Sequence, residues 1–128
     1  MDPDARLSMM EDFFAVYAVG FNRALADAPE IDVEVTAGAF ADCFIAADPN
    51  GVACGKNDEQ FRTQIPAGFA FYRSIGTKSM NIASLEVNPL DDYHLMVKVH
   101  WEAVYRKLGG GEERIDFDNI YFVQTIGE

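Results

Sequence analysis

The last third of the chain carries the clearest alternation of apolar and polar positions. Leu95 to Arg106 and Arg114 to Thr125 both alternate with period two, so each predicts a strand with two chemically different faces. Leu108-Gly109-Gly110-Gly111-Glu112 between them predicts a hairpin turn. A turn centred on Gly110 sets Trp101 opposite Asn119, Tyr105 opposite Ile115, Ala103 opposite Phe117, Val99 opposite Tyr121 and Val97 opposite Val123. One face is then apolar apart from Asn119, and the other carries Lys98, His100, Glu102, Arg106, Asp116, Asp118 and Gln124. A slip of two residues keeps these faces, whereas a slip of one drives the charges into the core, so the faces are specified more firmly than the register.

Upstream the period changes. Asp2 and Pro3 are suited to start a helix in which Leu7, Met10, Phe13, Phe14, Tyr17, Phe21 and Leu25 recur at helical spacing until Pro29. Tyr17 is the member of this aromatic stripe with a polar tip, which a buried position must satisfy. Residues 30–41 mix strand-like Ile31, Val33 and Val35 with helix-like Ala37 to Phe40, and read as a second short helix. Cys43 to Ala47 and Val52 to Gly55 flank the turn sequence Asp48-Pro49-Asn50-Gly51, predicting a small hairpin. Asn57 and Gln60 have capping-box spacing ahead of Phe61, Ile65, Phe69 and Tyr72, with Gly76 at the C′ position. Pro66 inside that stripe predicts a kink or break. Ser79 to Asn88 predicts a strand, and Asn88 to Asp92 the turn into the long hairpin.

The order is helix, short helix, small hairpin, helix and three long antiparallel strands. This predicts an α+β fold, a cone-shaped curved sheet with the N-terminal helices on its concave face, enclosing a pocket. The 128 residues suit one domain, residues 1–128. Twenty-one acidic against ten basic side chains give a net charge of −11, which disfavours nucleic acid and anionic membrane surfaces. No apolar run approaches the roughly 20 residues of a membrane span, and no secretory signal pattern opens the chain. Cys43 and Cys54 are the two cysteines, read as free thiols of a cytoplasmic protein.

An unpaired amide on a buried apolar face costs about 1 to 3 kcal/mol, so Asn119 needs a partner, a water or a ligand, with Trp101 Nε1 and Tyr17 as candidate neighbours. His100 lies beside Glu102 and Asp118. With Asp116 and Asp118 it offers possible ligands, but no spacing requires a metal, and a solvated or subunit-facing surface is the expectation. Neither cysteine is beside a histidine in sequence, and no lysine or helix start follows the three glycines to make a phosphate cradle.

This order of elements resembles the nuclear transport factor 2-like superfamily, which includes ketosteroid isomerases and polyketide-cyclase-like proteins. The resemblance covers nearly the whole chain. Phe40-Ala41-Asp42-Cys43-Phe44-Ile45-Ala46-Ala47-Asp48-Pro49-Asn50-Gly51 is similar to the ketosteroid isomerase segment that carries a general base, and implies Asp48 as that base. Phe14-Ala15-Val16-Tyr17 implies Tyr17 as an oxyanion donor, and Asp118-Asn119-Ile120-Tyr121-Phe122 sets Asn119 where the family has a carboxylic acid. An amide there donates a hydrogen bond but supplies no proton. Most relatives also have one further strand, so the expectation is either a shorter sheet or a truncated product.

The functional expectation is a small-molecule pocket for an apolar, carbonyl-bearing ligand, lined by Phe13, Phe40, Phe44, Phe69, Tyr72, Trp101, Tyr105, Phe117 and Tyr121. Chemistry there would be that of a cofactor-independent isomerase or lyase, without a metal, in which a partly desolvated Asp48 abstracts a proton while Tyr17 and Asn119 polarise the carbonyl. The general logic of a tuned carboxylate base is that of ketosteroid isomerase itself. For Asp48 the competing expectation is a turn cap bonding its own backbone. The competing function is a non-catalytic ligand-binding or assembly module. A homodimer through the outer sheet face is expected from its mixture of Met96, His100, Val104, Ile120 and Phe122 with opposite charges.

Overall fold

The computed structural model describes residues 2–26, 29–48 and 51–125, with Asp48 described in its backbone alone. Its elements are α1 (Pro3–Leu25), α2 (Val33–Gly38), β1 (Cys43–Asp48), β2 (Gly51–Lys56), α3 (Glu59–Ser74), β3 (Thr77–Pro89), β4 (His94–Arg106) and β5 (Glu112–Gln124). β1 and β2 form an antiparallel hairpin, and β3, β4 and β5 a separate antiparallel sheet with β4 in the centre. The turn expected over Asp48 to Gly51 lies partly outside the described residues.

Helix α1 starts where the sequence places it. The Asp2 carboxylate accepts from the Ala5 N–H at 2.8 Å, and Pro3 occupies the first turn, where a missing N–H costs nothing. The helix buries Met10, Phe14 and Leu25 against Met80 of β3 and Leu95, Val97, Val99, Trp101 and Ala103 of β4. Those five β4 side chains are each 1% exposed or less. Register shifts between Thr77 and Ser79 and between Ile82 and Ser84 interrupt the β3 ladder, and such bulges bend a strand so that a sheet can curve around a helix. Ala24, Ala37, Ile65 and Phe69 form a second core that joins α1, α2 and α3.

Two polar clamps fix α1. The Asn22 side chain donates to Met80 O at 2.7 Å and accepts from Met80 N at 2.7 Å. It thereby pairs both backbone groups of a residue on β3, an outer strand of the sheet. Arg73 of α3 donates to Ala24 O at 2.6 Å, where the last turn of α1 has carbonyls without helical partners.

Three expectations need correction. The hairpin register differs by two residues, with Trp101 opposite Phe117 and Val99 opposite Asn119. A five-residue loop closes it, with Lys107 N donating to Gly111 O and both Gly110 and Gly111 at positive φ; as the two-residue slip requires, the faces are unchanged. The N-cap of α3 is Asp58, accepting from Phe61 N at 2.9 Å, because the Asn57 amide is used to donate to Ala37 O and Phe40 O. Pro66 does not break α3, which runs unbroken from Glu59 to Ser74; Ile65 and Phe69 on either side are both held in the second core, and that packing outweighs one lost helical bond.

Asn22→Ala should lower the stability measured by urea unfolding by about 1 to 3 kcal/mol, since it strands a backbone donor and acceptor in a partly buried place. Gly76→Ala should also be strongly destabilising: Gly76 has φ +88, and a Cβ there would stand 2.5 Å from the Arg106 carbonyl oxygen.

Candidate functional site

The inner face of the sheet meets α1 and α3 in a chain of aromatic rings. Phe14 lies 4.9 Å from Tyr121 and 6.5 Å from Tyr17; Tyr17 lies 6.2 Å from Trp101 and 6.4 Å from Phe21; Phe21 lies 5.0 Å from Phe69 and 5.4 Å from Tyr72. Burial, reinforced by the phenols of Tyr121 and Tyr72, pushes the Tyr17 hydroxyl well above its ordinary value, and burial followed by Tyr105 and Tyr121 raises that of Tyr72. Both therefore remain O–H donors throughout the working pH range.

At the centre of the polar atoms stands the Tyr121 hydroxyl. It accepts from Trp101 Nε1 at 3.2 Å and from Asn119 Nδ2 at 3.3 Å. Indole and amide nitrogens have hydrogens to give and no capacity to accept. The Tyr121 proton is thus left to point at a third acceptor, and none is found among the described residues. Near the base of the same face, Thr77 is 4% exposed and pairs in register with Tyr105, and its Oγ1 is buried without a hydrogen-bond partner among the described residues. Such groups are rare in folded proteins.

Asn119 itself departs from expectation. It lies on the inner face as the alternation requires, yet it is exposed, because α1 packs closest to β3 and β5 is the outer strand at the opposite edge of the sheet. Its partner is Tyr121, reached along the same strand, and not Trp101 or Tyr17.

A groove of about 420 Å³ opens between α1, α2 and Phe69 of α3, with Phe13, Tyr17 and Phe21 in its lining and Asp12 at its border. Tyr17 links the two regions, since it lines the groove and packs against Trp101. Of the expected site residues, Tyr17, Trp101, Tyr105, Phe117 and Tyr121 belong to the interior group, Tyr72 is exposed beside Phe21, and Phe13 and Phe69 line the groove. Phe40 and Phe44 go elsewhere. With Phe61 they make a triad of rings 5.0 to 5.2 Å apart that fastens the β1–β2 hairpin to α3, and Phe44 covers Gly55, where a Cβ would meet its ring at 2.6 Å. Asp48 ends β1 opposite Gly51; its side chain lies outside the described residues. The strand residues beside it, Ala46, Ala47 and Val52, are exposed. Asp12, Phe21 and Thr77 were not singled out by sequence as site residues. Phe21 is in the helical stripe, four residues from Tyr17, and that spacing is the signal that could have found it.

The outer sheet face carries a charged network. His100 Nδ1 lies 2.7 Å from Asp118 Oδ1 and its Nε2 3.6 Å from Asp116 Oδ2. Arg114 donates to both Asp116 oxygens at 2.9 Å, which holds that carboxyl below the usual range. Among the described residues no group of three or more His, Cys, Asp or Glu side chains is placed to hold a metal ion. Cys43 and Cys54 are free and exposed. No described helix is long and apolar enough to cross a membrane.

The family model for NTF2-like protein (DUF6841) matches residues 6–125. No curated protein matches the chain. Among solved structures it is similar to Aln2 from a Streptomyces species, with a TM-score of 0.60 and 13% identity over 98% of this chain and 89% of that one. It is also similar to a protein from Xanthomonas campestris described as a putative calcium/calmodulin-dependent protein kinase II association domain, with a TM-score of 0.51 and 14% identity over 98% of this chain and 84% of that one. At these identities the likeness is one of fold.

The Asp118 hydrogen bond, with the charges of Asp118 and Asp116 behind it, raises the pKa of His100, and desolvation opposes that rise without cancelling it. Because the folded value lies above the unfolded one, the stabilisation is fully present below about pH 6.5 and is lost as pH rises through the folded value. An NMR titration should give a His100 midpoint above about 6.5, and Asp118→Asn should bring it down.

Proposed function

Because the chain belongs to the NTF2-like family DUF6841, we propose that it is a small-molecule pocket protein whose inner sheet face binds an apolar compound through a carbonyl or similar acceptor. The observation that carries this reading is the Tyr121 hydroxyl, which receives two hydrogen bonds from donor-only groups and so keeps its own proton for an acceptor. Tyr17, raised in pKa by burial, supplies a second donor in the same aromatic group. Two phenols directed at one oxygen stabilise negative charge that develops on it, which is the requirement of isomerase, dehydratase and cyclase chemistry at a carbon beside a carbonyl. In the catalytic form of this reading Asp48 removes the proton, Tyr17 and Tyr121 hold the oxygen, and Asn119 orients Tyr121 rather than meeting the substrate. In the non-catalytic form the same donors retain a ligand unchanged. Since Asp48 ends a hairpin strand whose neighbouring positions are exposed, the donors of the inner face support ligand binding more directly than proton abstraction.

A second reading has its own observation. Ile120 and Phe122, 57% and 75% exposed on the outer face, accompany the charges of Lys98, His100, Asp116 and Asp118. An apolar patch among charges of both signs is self-complementary, as an isologous dimer requires. One structural neighbour is described as an association domain, and assembly through this face is compatible with a pocket on the other.

Trp101 is the single tryptophan and stands in the proposed wall, so its fluorescence reports binding. Titration with a panel of apolar aromatic ketones should give a saturable change, and Tyr17→Phe or Tyr121→Phe should weaken it by roughly 5- to 10-fold, the worth of one hydrogen bond of about 1 kcal/mol or slightly more. A panel without any saturable response, or phenylalanine variants that bind as well as the original, would overturn the pocket reading. For a bound ketone that is also turned over, Asp48→Asn should abolish turnover while leaving binding. Light scattering should give a dimer mass that Phe122→Glu converts to a monomer.

A further inference from the structure

The groove between α1 and α2 is not explained by the interior donors. Its width comes from missing side chains: Gly20 on α1 and Gly38 on α2 both border it, and nothing stands within 4 Å of where a Cβ would lie on either. Its lining is chiefly aromatic and aliphatic, with Phe21 and Phe69 meeting edge to face at 5.0 Å and 83° to form one corner. Val16 and Val35, 63% and 59% exposed, stand on its borders. Among the described residues that border it, Asp12 is the one with a formal charge. At about 420 Å³ the space suits a small molecule, which commonly needs about 300 to 1,000 Å³, and is too small for a docked helix or strand.

Aromatic faces attract cations through their quadrupole, and a carboxylate beside them adds a full opposite charge. The same pair repels anions. A chain of net charge −11 further raises the local concentration of cations and lowers that of anions. An apolar floor, by contrast, offers no hydrogen-bonding to a strongly hydrated inorganic ion, which would lose its water without replacement. From this geometry we propose that the α1–α2 groove binds a small organic cation, an apolar body with a tertiary or quaternary ammonium or amidinium group set against Asp12. The groove shares Tyr17 with the pocket reading but does not rest on it, since it needs neither Tyr121 nor Asn119.

Three dyes of similar size and different charge test this on the whole chain: cationic auramine O, neutral N-phenyl-1-naphthylamine, and its anionic relative 8-anilino-1-naphthalenesulfonate. Auramine O and the neutral dye should each bind saturably at one per chain, with the anionic dye at least tenfold weaker than the neutral one. Asp12→Asn should weaken auramine O at least threefold and leave the neutral dye within twofold. Glu11→Gln, the same loss of charge one residue away and outside the groove lining, should change neither. Gly20→Leu fills the groove from a helix position where leucine is the better helix former; it should weaken auramine O and the neutral dye at least tenfold while the unfolding midpoint does not fall. The proposal is overturned if auramine O fails to saturate, if Asp12→Asn and Glu11→Gln act equally so that only net charge matters, or if Gly20→Leu folds and binds the dyes as before.

Discussion

The constraint on which this structure depends is the burial of β4. A central strand whose alternate residues are Leu95, Val97, Val99, Trp101 and Ala103, none more than 1% exposed, is stable in water only when something apolar covers that face. At roughly 25 cal/mol per Å² of apolar surface, leaving it open would forgo several kcal/mol for these side chains together. Helix α1 is the cover, and its aromatic stripe is what fits. The Asn22 clamp on Met80 and the Arg73 clamp on Ala24 then set where along the sheet the helix sits, and so decide which aromatic rings meet which strand residues.

Functional character follows from how incomplete that cover is. Phe14 seals the sheet beside Tyr121, while Tyr17 and Tyr72 remain partly open and keep polar tips among rings. Polar groups in such a place must be paired or must await a partner. The Trp101 and Asn119 donors occupy the acceptor capacity of the Tyr121 hydroxyl and leave its own proton without a partner among the described residues. Beside α2 the same stripe, through Phe13, Tyr17 and Phe21, also lines a groove. One helix thus presents two chemically distinct surfaces, with Tyr17 common to both.

The outer face of the sheet obeys different physics. His100, Asp116, Asp118, Arg114 and Lys98 are solvated and coupled at short range, and exposed pairs of this kind contribute little to stability. Each charge has a defined neighbour on β4 or β5, which favours one register, and the exposed Ile120 and Phe122 continue the same face beyond Asp118.

How much was legible in the chain depended on the range of the interaction. Alternation in Leu95 to Arg106 and the stripe from Leu7 to Leu25 fixed both strand faces, the long helix and the outward placement of Asp116 and Asp118, because side-chain periodicity is a local property of the backbone. The α+β order and the family likeness were legible for the same reason. Register, capping and helix continuity were not: Gly110 and Gly111 both took positive φ and moved the hairpin by two residues, Asn57 was drawn away to the carbonyls of Ala37 and Phe40, and Pro66 was held in line by Ile65 and Phe69. The first was settled by the loop's own backbone conformation, and the other two by partners distant in sequence, Ala37 and Phe40 for Asn57 and Ala24 and Ala37 around Ile65 and Phe69. The site divided in the same way. The sequence determined that aromatic rings, Tyr17, Trp101 and Asn119 would belong to an inner surface; only the tertiary structure decided that Phe40 and Phe44 would serve the small hairpin, that Asn119 would be exposed on an outer strand, and that Tyr121 would collect two donors, because those depend on which surfaces the packing of α1 covers and which it leaves open.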